Sequence, residues 1–417
     1  MENYDVLKDV SERTGGDIYL GVVGPVRTGK STFIKRFMEE LVLPNIEDIH
    51  ERERAVDEMP QSGSGRTVMT AEPKFIPAEA VNIHVDDGID MRVRLVDCVG
   101  YAVEGARGFD DEDGPRMVDT PWFEEPVSFA VAAETGTEKV IAEHSTIGVV
   151  VLTDGTFGDI PLEAYNPAAE RVIEELQELG KPFVIIVNSA DPDGQIAQDF
   201  ADELAERYGV TVLTMNLLDM TADDIMDILN AALYEFPVME INISLPRWIE
   251  ELESDHWLRK AMEAAIAEAV QGVKKVRDIS SIIDSLDTQD DIQQTTLTEL
   301  DLGRGAASLA VMAQDGLFNQ VLAEYAGEPI EGEHTILSLM RRYAKGAHQW
   351  EKMADAMEEV SEEGYGVVSP QMDELYLEEP ELIKQGGHFG VRLKASAPSY
   401  HIVWNKQKPP FSITLAV

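Results

Sequence analysis

The chain has 417 residues, 44% of them hydrophobic, with 78 acidic side chains against 34 basic ones and a formal net charge of −44. That length suggests two or three domains with proper cores, and that charge argues against a nucleic-acid partner, whose phosphates demand basic surface, and against non-specific adhesion to anionic lipid. The single cysteine, Cys98, forbids an intrachain disulfide, and the longest apolar runs, 147–152 and 183–187, fall far short of the ~20 residues of a membrane span, so any membrane association is expected to be peripheral.

The charged N-terminus, MENYDVLKDVSERTGGD, carries no hydrophobic signal core. The first predicted element is a buried parallel strand over 18–23 (IYLGVV). It runs into Gly24-Pro25-Val26-Arg27-Thr28-Gly29-Lys30-Ser31, a complete G-x-x-x-x-G-K-[ST] motif. A helix over 32–40 follows, starting at Thr32, with Phe33, Ile34, Phe37 and Met38 at helical spacing. Glycines at 24 and 29 let the backbone wrap closely around phosphates, and the loop N–H groups and helix N-terminus face the anion. Gly24, Arg27, Thr28, Gly29, Lys30, Ser31 and Thr32 are therefore the expected nucleotide contacts. Lys30 supplies a compact charge for the β and γ phosphates, and the Ser31 hydroxyl is a Mg²⁺ ligand.

Two strands follow, over 81–85 and 91–97, joined by a hairpin turn at Asp86-Asp87-Gly88. The second ends in Asp97-Cys98-Val99-Gly100. A strand followed by D-x-x-G is similar to the third motif of the translation-factor class of P-loop NTPases. By that likeness Asp97 holds Mg²⁺ through water and the Gly100 amide meets the γ-phosphate. The polar loop 61–73 (QSGSGRTVMTAEP) offers Thr67 and Thr70 as sensors of Mg²⁺ and γ-phosphate. Thr70, just before the segment leading into the hairpin, is the favoured one, and Arg66 reads as a solvated loop arginine. Strands over 147–153, 183–188 and 210–215 alternate with helices over 168–179 and 222–234, a doubly wound pattern.

The base-reading position is degenerate. GTPases of this class carry N-K-x-D after the strand that corresponds to 183–187; here stand Asn188-Ser189-Ala190-Asp191, without the lysine. Where many relatives place a water-orienting glutamine after D-x-x-G, this chain has Tyr101. The residues alone leave three readings open: an ATPase, a regulatory GTPase switch of the ribosome-assembly type, and a nucleotide-binding assembly module with little turnover.

Taken together, 18–32 (IYLGVVGPVRTGKST), 94–101 (RLVDCVGY), 114–122 (GPRMVDTPW), 143–150 (EHSTIGVV), 232–238 (ALYEFPV) and 389–398 (FGVRLKASAP) resemble the stage IV sporulation protein A family, the spore-coat morphogenetic ATPases. The resemblance runs to about position 402. It implies an ATPase that uses ATP and Mg²⁺ and assembles with itself into a static homopolymer on the forespore. The implied location is the mother-cell cytoplasm at the outer forespore membrane, with other spore coat proteins and a small amphipathic membrane-binding peptide as partners. By matching motif, Lys30 carries over as the phosphate lysine, Ser31 and Asp97 as Mg²⁺ residues, and Thr70 as the sensor. The family often has a second threonine where this chain has Ala71, which places more weight on Thr70. The tail from Trp404 departs from the family and reads as a truncated or altered C-terminus.

From about Asn242 the strand–helix alternation fades. A long helix is expected over 257–278, with Lys274, Lys275 and Arg277 suiting the dipole at its end. Positions 284–301 read as an acidic linker or exposed loop, and 303–325 and 335–360 as helices. The expected architecture is α/β. A doubly wound, mostly parallel P-loop NTPase sheet spans 1–240, a largely helical α+β middle region 241–330, and a short C-terminal domain 331–417.

Overall fold

The structure, a computed structural model, describes residues 3–60, 73–85, 89–103, 110–111, 114–120, 122–123, 125–157, 160–386 and 388–404. The expected hairpin turn at 86–88, Arg66, Thr67, Thr70 and Ala71 of the polar loop, and the tail after Trp404 lie outside the described residues. Two compact units divide the chain, Met1–Gln314 and Asp315–Val417.

The first unit begins with helix α1 (Asn3–Thr14) and strand β1 (Asp17–Val23), followed by the phosphate-loop motif and helix α2 (Lys30–Phe37). Strands β2 (Lys74–Val85) and β3 (Ile89–Asp97) come next. Helix α3 (Phe129–His144), strand β4 (Ile147–Thr153), helix α4 (Asn166–Leu179) and strand β5 (Phe183–Asn188) then alternate. Helix α5 (Gln195–Tyr208), strand β6 (Val212–Met215) and helix α6 (Ala222–Tyr234) complete the pattern. The sheet runs β6-β5-β4-β1-β3-β2. Every pairing in it is parallel except that of β2 with β3. This is the doubly wound α/β sheet of a P-loop NTPase.

β4 and β5 are buried along their whole length, as strands covered by helices on both faces must be. Their runs of Val and Ile fit that environment and made both legible in the sequence. Gly148 interrupts β4 because a Cβ there would stand 2.9 Å from the Cβ of Phe183 on the neighbouring strand. β1 pairs with β3 on one side and β4 on the other. The chain therefore reverses its winding direction beside β1, and the crevice at the carboxyl ends of these strands is where α/β sheets bind ligands.

The rest of the first unit differs from expectation. A three-stranded sheet joins β7 (Glu240–Ser244) to two further strands, β8 (Ile292–Asp301) and β9 (Ala306–Ala313), in the order β7-β9-β8. β8 lies where an acidic linker was expected, and β9 opens the segment expected to be helical. Alternate residues of β9 are buried, so Ala307, Leu309 and Val311 face a core at period two. The helix expected over 257–278 stops early, as α7 (Trp257–Ala269), with Gly272 at φ 90° beyond its end, and a separate helix α8 (Ile279–Asp287) begins only after the expected span. Lys275 and Arg277 do not cap a helix end. They turn back to the fully buried Glu235, at 2.6 and 3.1 Å.

In the second unit, helix α9 (Leu317–Ala326) precedes the 31-residue helix α10 (Glu333–Glu363). Ala356 and Val360 of α10 form a small core with Val368 and Ile402 of the paired strands β10 (Tyr365–Val368) and β11 (Tyr400–Val403). Leu337, Met340, Tyr343 and Trp350 on the same helix are exposed.

Candidate nucleotide site

The loop after β1 is shaped by three positions of positive φ. At Gly24 (φ 137°) a Cβ would lie 2.3 Å from the Val151 carbonyl oxygen, so only glycine passes the neighbouring strand. At Gly29 (φ 109°) it would lie 2.7 Å from the Asn188 side-chain nitrogen. Arg27, exposed at φ 64°, takes the left-handed conformation without being glycine. Thr28 is fully buried and its hydroxyl donates to the Pro25 carbonyl at 3.1 Å, which fixes the loop's turn. Helix α2 starts directly after Gly29. Phe33, Ile34 and Phe37 anchor it in the core, while Ser31 and Thr32 stand on its first turn, partly buried.

Lys30 is 6% exposed, and its ammonium donates to the Pro25 carbonyl at 2.6 Å and the Gly24 carbonyl at 3.2 Å. Burial pulls its pKa down to about 8, against the pull of Asp97 and Cys98. The β1–β3 register sets Val22 opposite Asp97, which brings that carboxylate beside the loop. There the Ser31 hydroxyl donates to Asp97 Oδ2 at 2.9 Å. Burial pushes the Asp97 carboxyl up, while Lys30 and the Ser31 hydrogen bond pull it down. A hydroxyl and a carboxylate in contact are the hard oxygen pair that suits Mg²⁺, and they stand next to the lysine that suits phosphate.

Gly100 (φ 93°) closes this corner. A Cβ at 100 would lie 2.5 Å from Lys30 Nζ and 2.6 Å from the Gly24 carbonyl oxygen. Cys98, between the two D-x-x-G anchors, is buried, its thiol pushed up to about 12, and so it is no nucleophile at neutral pH. Gly24, Gly29, Lys30, Ser31, Asp97 and Gly100 thus converge, Thr28 braces them from within, and Arg27 and Thr32 flank them. The close approaches at 24, 29 and 100 form a cradle that any side chain would fill, which fits a phosphate chain with its metal ion.

The base end holds a role the sequence did not reveal. The Asn188 side chain donates to the Thr28 carbonyl at 3.0 Å and accepts from the Leu217 amide at 3.2 Å. It ties the phosphate loop to the segment after β6. The N-x-x-D pattern marked the residue, but only as a base reader; Leu217 left no signal. Ser189, at the position of the absent lysine, is fully buried, and Asp191 is exposed. Tyr101 is 1% exposed, and its phenol donates to Glu175 of α4, so its ring is turned into the core.

The family model for the stage IV sporulation protein A ATPase domain matches residues 1–237, and that for its middle domain matches residues 238–408. The chain belongs to the stage IV sporulation protein A family. It is 49% identical to stage IV sporulation protein A of Bacillus subtilis (strain 168), over 97% of this chain and 82% of that protein. The protein of the same name from Bacillus anthracis is 48% identical over the same shares. That of Clostridioides difficile (strain 630) is 46% identical over 96% of this chain and 82% of its own length. This member of the stage IV sporulation protein A family is thus a sporulation ATPase by domain, and the phosphate loop and Asp97 both fall within the ATPase match. Among the described residues no helix is long and apolar enough to cross a membrane.

Proposed function

We propose that the chain hydrolyses ATP with Mg²⁺ and that nucleotide drives its assembly with itself into a static scaffold on the outer forespore surface, the base layer of the spore coat. The observation that carries the catalytic part is the Ser31–Asp97 contact at 2.9 Å beside the buried Lys30 ammonium. In this reading Lys30 holds the β and γ phosphates, and the amides of the loop and of the first turn of α2 hold the rest of the chain. Ser31, Asp97 and the sensor Thr70 hold Mg²⁺, and the Gly100 amide meets the γ-phosphate. Bound Mg²⁺ would neutralise part of the negative charge of the phosphates. Adenine rather than guanine is favoured because the buried Ser189 cannot lie along a base as a lysine stem does.

The assembly part is supported by α10, where Leu337, Met340 and Trp350 are each at least 60% exposed. Apolar side chains spaced along one long helix suit contact with another copy. The other partners in this reading are a small amphipathic membrane-binding peptide and later coat proteins, reached from the mother-cell cytoplasm.

A second reading has one observation in its favour. Because Tyr101 is turned into the core, no side chain at that position orients water, which favours binding over rapid turnover as the trigger. Sedimentation tests both. With MgATP the wild-type chain is expected to pellet and Lys30→Ala to stay soluble. Met340→Asp is expected to stay soluble while still binding nucleotide. Equal pelleting with a non-hydrolysable analogue would favour binding as the trigger; pelleting of Lys30→Ala would remove nucleotide from the account.

A further inference from the structure

Every residue of α10 from Met340 to Glu351 is exposed. The apolar side chains there follow a rule. Ile336, Met340, Tyr343, Ala347, Trp350 and Ala354 stand four and three residues apart in turn, an average step of about 3.5 residues. The four in the middle are exposed, and the two at the ends are partly buried. The Tyr343 hydroxyl donates to the Ala326 carbonyl at the end of α9 at 3.2 Å, which fixes that ring in place. A helix turns once in about 3.6 residues, so the row drifts slowly round the axis. A flat surface loses contact with such a row, whereas a second helix supercoiled with it keeps contact throughout.

The charges of α10 are divided along its length. Arg341, Arg342 and Lys345 lie in its first half, and Asp355, Glu358, Glu359, Glu362 and Glu363 crowd its end. Arg342 bonds Glu328 of the same chain, and Lys352 bonds Glu374 at 3.0 Å. Among the described residues Arg341 and Lys345 have no ion-pair partner, and neither have Asp355, Glu358 and Glu362. A parallel second helix would set basic against basic and acidic against acidic. An antiparallel one sets the basic half of each against the acidic end of the other, twice over. Centred between His348 and Gln349, an antiparallel pair also matches sizes. Trp350 then lies opposite Ala347 of the second copy, and Tyr343 opposite its Ala354, large against small. The same register brings Arg342 level with Asp355 of the second copy.

We propose that α10 pairs antiparallel with α10 of a second copy of this chain, along the row from Met340 to Trp350. The proposal rests on the self-assembly reading given above and adds the element, its orientation and its closure. A two-fold contact of this kind is isologous: one patch serves both copies and is used up in the pair. It yields a dimer, so growth into a scaffold needs a second contact on another surface. α10 belongs to the second compact unit, whereas Lys30, Ser31 and Asp97 belong to the first. No phosphate-site residue takes part in the pair, which forms without nucleotide; nucleotide acts on the second contact.

The test is analytical ultracentrifugation of the full chain without nucleotide, over a series of concentrations. Wild type and Lys30→Ala are expected to dimerise alike. Trp350→Glu, at an exposed position, is expected to raise the dimer dissociation constant about thirtyfold, as loss of a central anchor does. Orientation is read by disulfide formation, because the one native cysteine, Cys98, is buried. Tyr343→Cys and Ala354→Cys chains are each expected to stay unlinked alone and to join when mixed. Self-joining of Tyr343→Cys would make the pair parallel and overturn the proposal, as would a mixture that does not join. A monomeric wild type, or a Trp350→Glu chain that dimerises as wild type does, would overturn it too. Dimeric wild type beside monomeric Lys30→Ala would put this contact under nucleotide control, against the proposal. Dimers in both chains with no pelleting of wild type under MgATP would uphold the α10 pair and remove the nucleotide-driven scaffold, so the two failures are distinct.

Discussion

At the scale of single residues, Lys30 carries the sharpest consequence. Its amine is held at about 8 by burial, against an ordinary value of 10.5. Between those two values the unfolded chain binds a proton that the nucleotide-free folded chain does not. Stability of the nucleotide-free protein therefore rises with pH across that window, and the Lys30→Met variant lacks this rise. Phosphates reverse the balance, because they favour the charged amine. Above pH 8 the site must take up a proton to bind MgATP, and affinity is expected to fall toward tenfold per pH unit. Calorimetric titration in buffers of different ionisation heat reads this proton directly. A flat affinity between pH 8 and 10 in a protein that binds at pH 7 would contradict it.

The same scale shows how much of the site was legible. Gly24, Gly29, Lys30, Ser31, Asp97 and Gly100 were found because each is a member of a spaced motif whose chemistry dictates the residue type. Asn188 was noticed as a base reader, but its ties to the Thr28 carbonyl and the Leu217 amide were not legible, since those partners are backbone groups with no mark in the sequence. Tyr101 was read by what it lacks, a glutamine amide; its bond to Glu175 depends on helix placement.

At the scale of elements, the six-stranded sheet was readable because its central strands are buried on both faces and must be continuously apolar. The small sheet beyond it was not. β8 buries only an occasional residue, and most of its side chains face solvent, so its composition is that of a linker. β9 is rich in alanine, a good helix former, and its strand state is imposed by pairing with β7 and β8. The join between the two sheets depends on Glu235, which has no exposed surface and accepts from the Thr211 amide and hydroxyl as well as from Lys275 and Arg277. Removing one partner of such a buried cluster leaves the remaining charges uncompensated. Glu235→Ala is expected to destabilise the chain by about 3–5 kcal/mol, read from denaturant unfolding. Loss of under about 1 kcal/mol would mean that solvent reaches the cluster.

At the scale of the whole molecule, a chain carrying −44 charges repels its own copies. In the proposed function, assembly by such a chain needs a favourable term that offsets this repulsion, and the phosphate corner between Lys30, Asp97 and Gly100 is where nucleotide would act on the fold. The central claim is that this corner binds and hydrolyses ATP in particular. The direct measurement is phosphate release by the purified chain with Mg²⁺ and either ATP or GTP, with Lys30→Ala as the blank. The account predicts release from ATP, little from GTP, and none from the variant. Preferential release from GTP would mean that Asn188 and Asp191 read guanine after all, and would replace the ATPase with a switch GTPase.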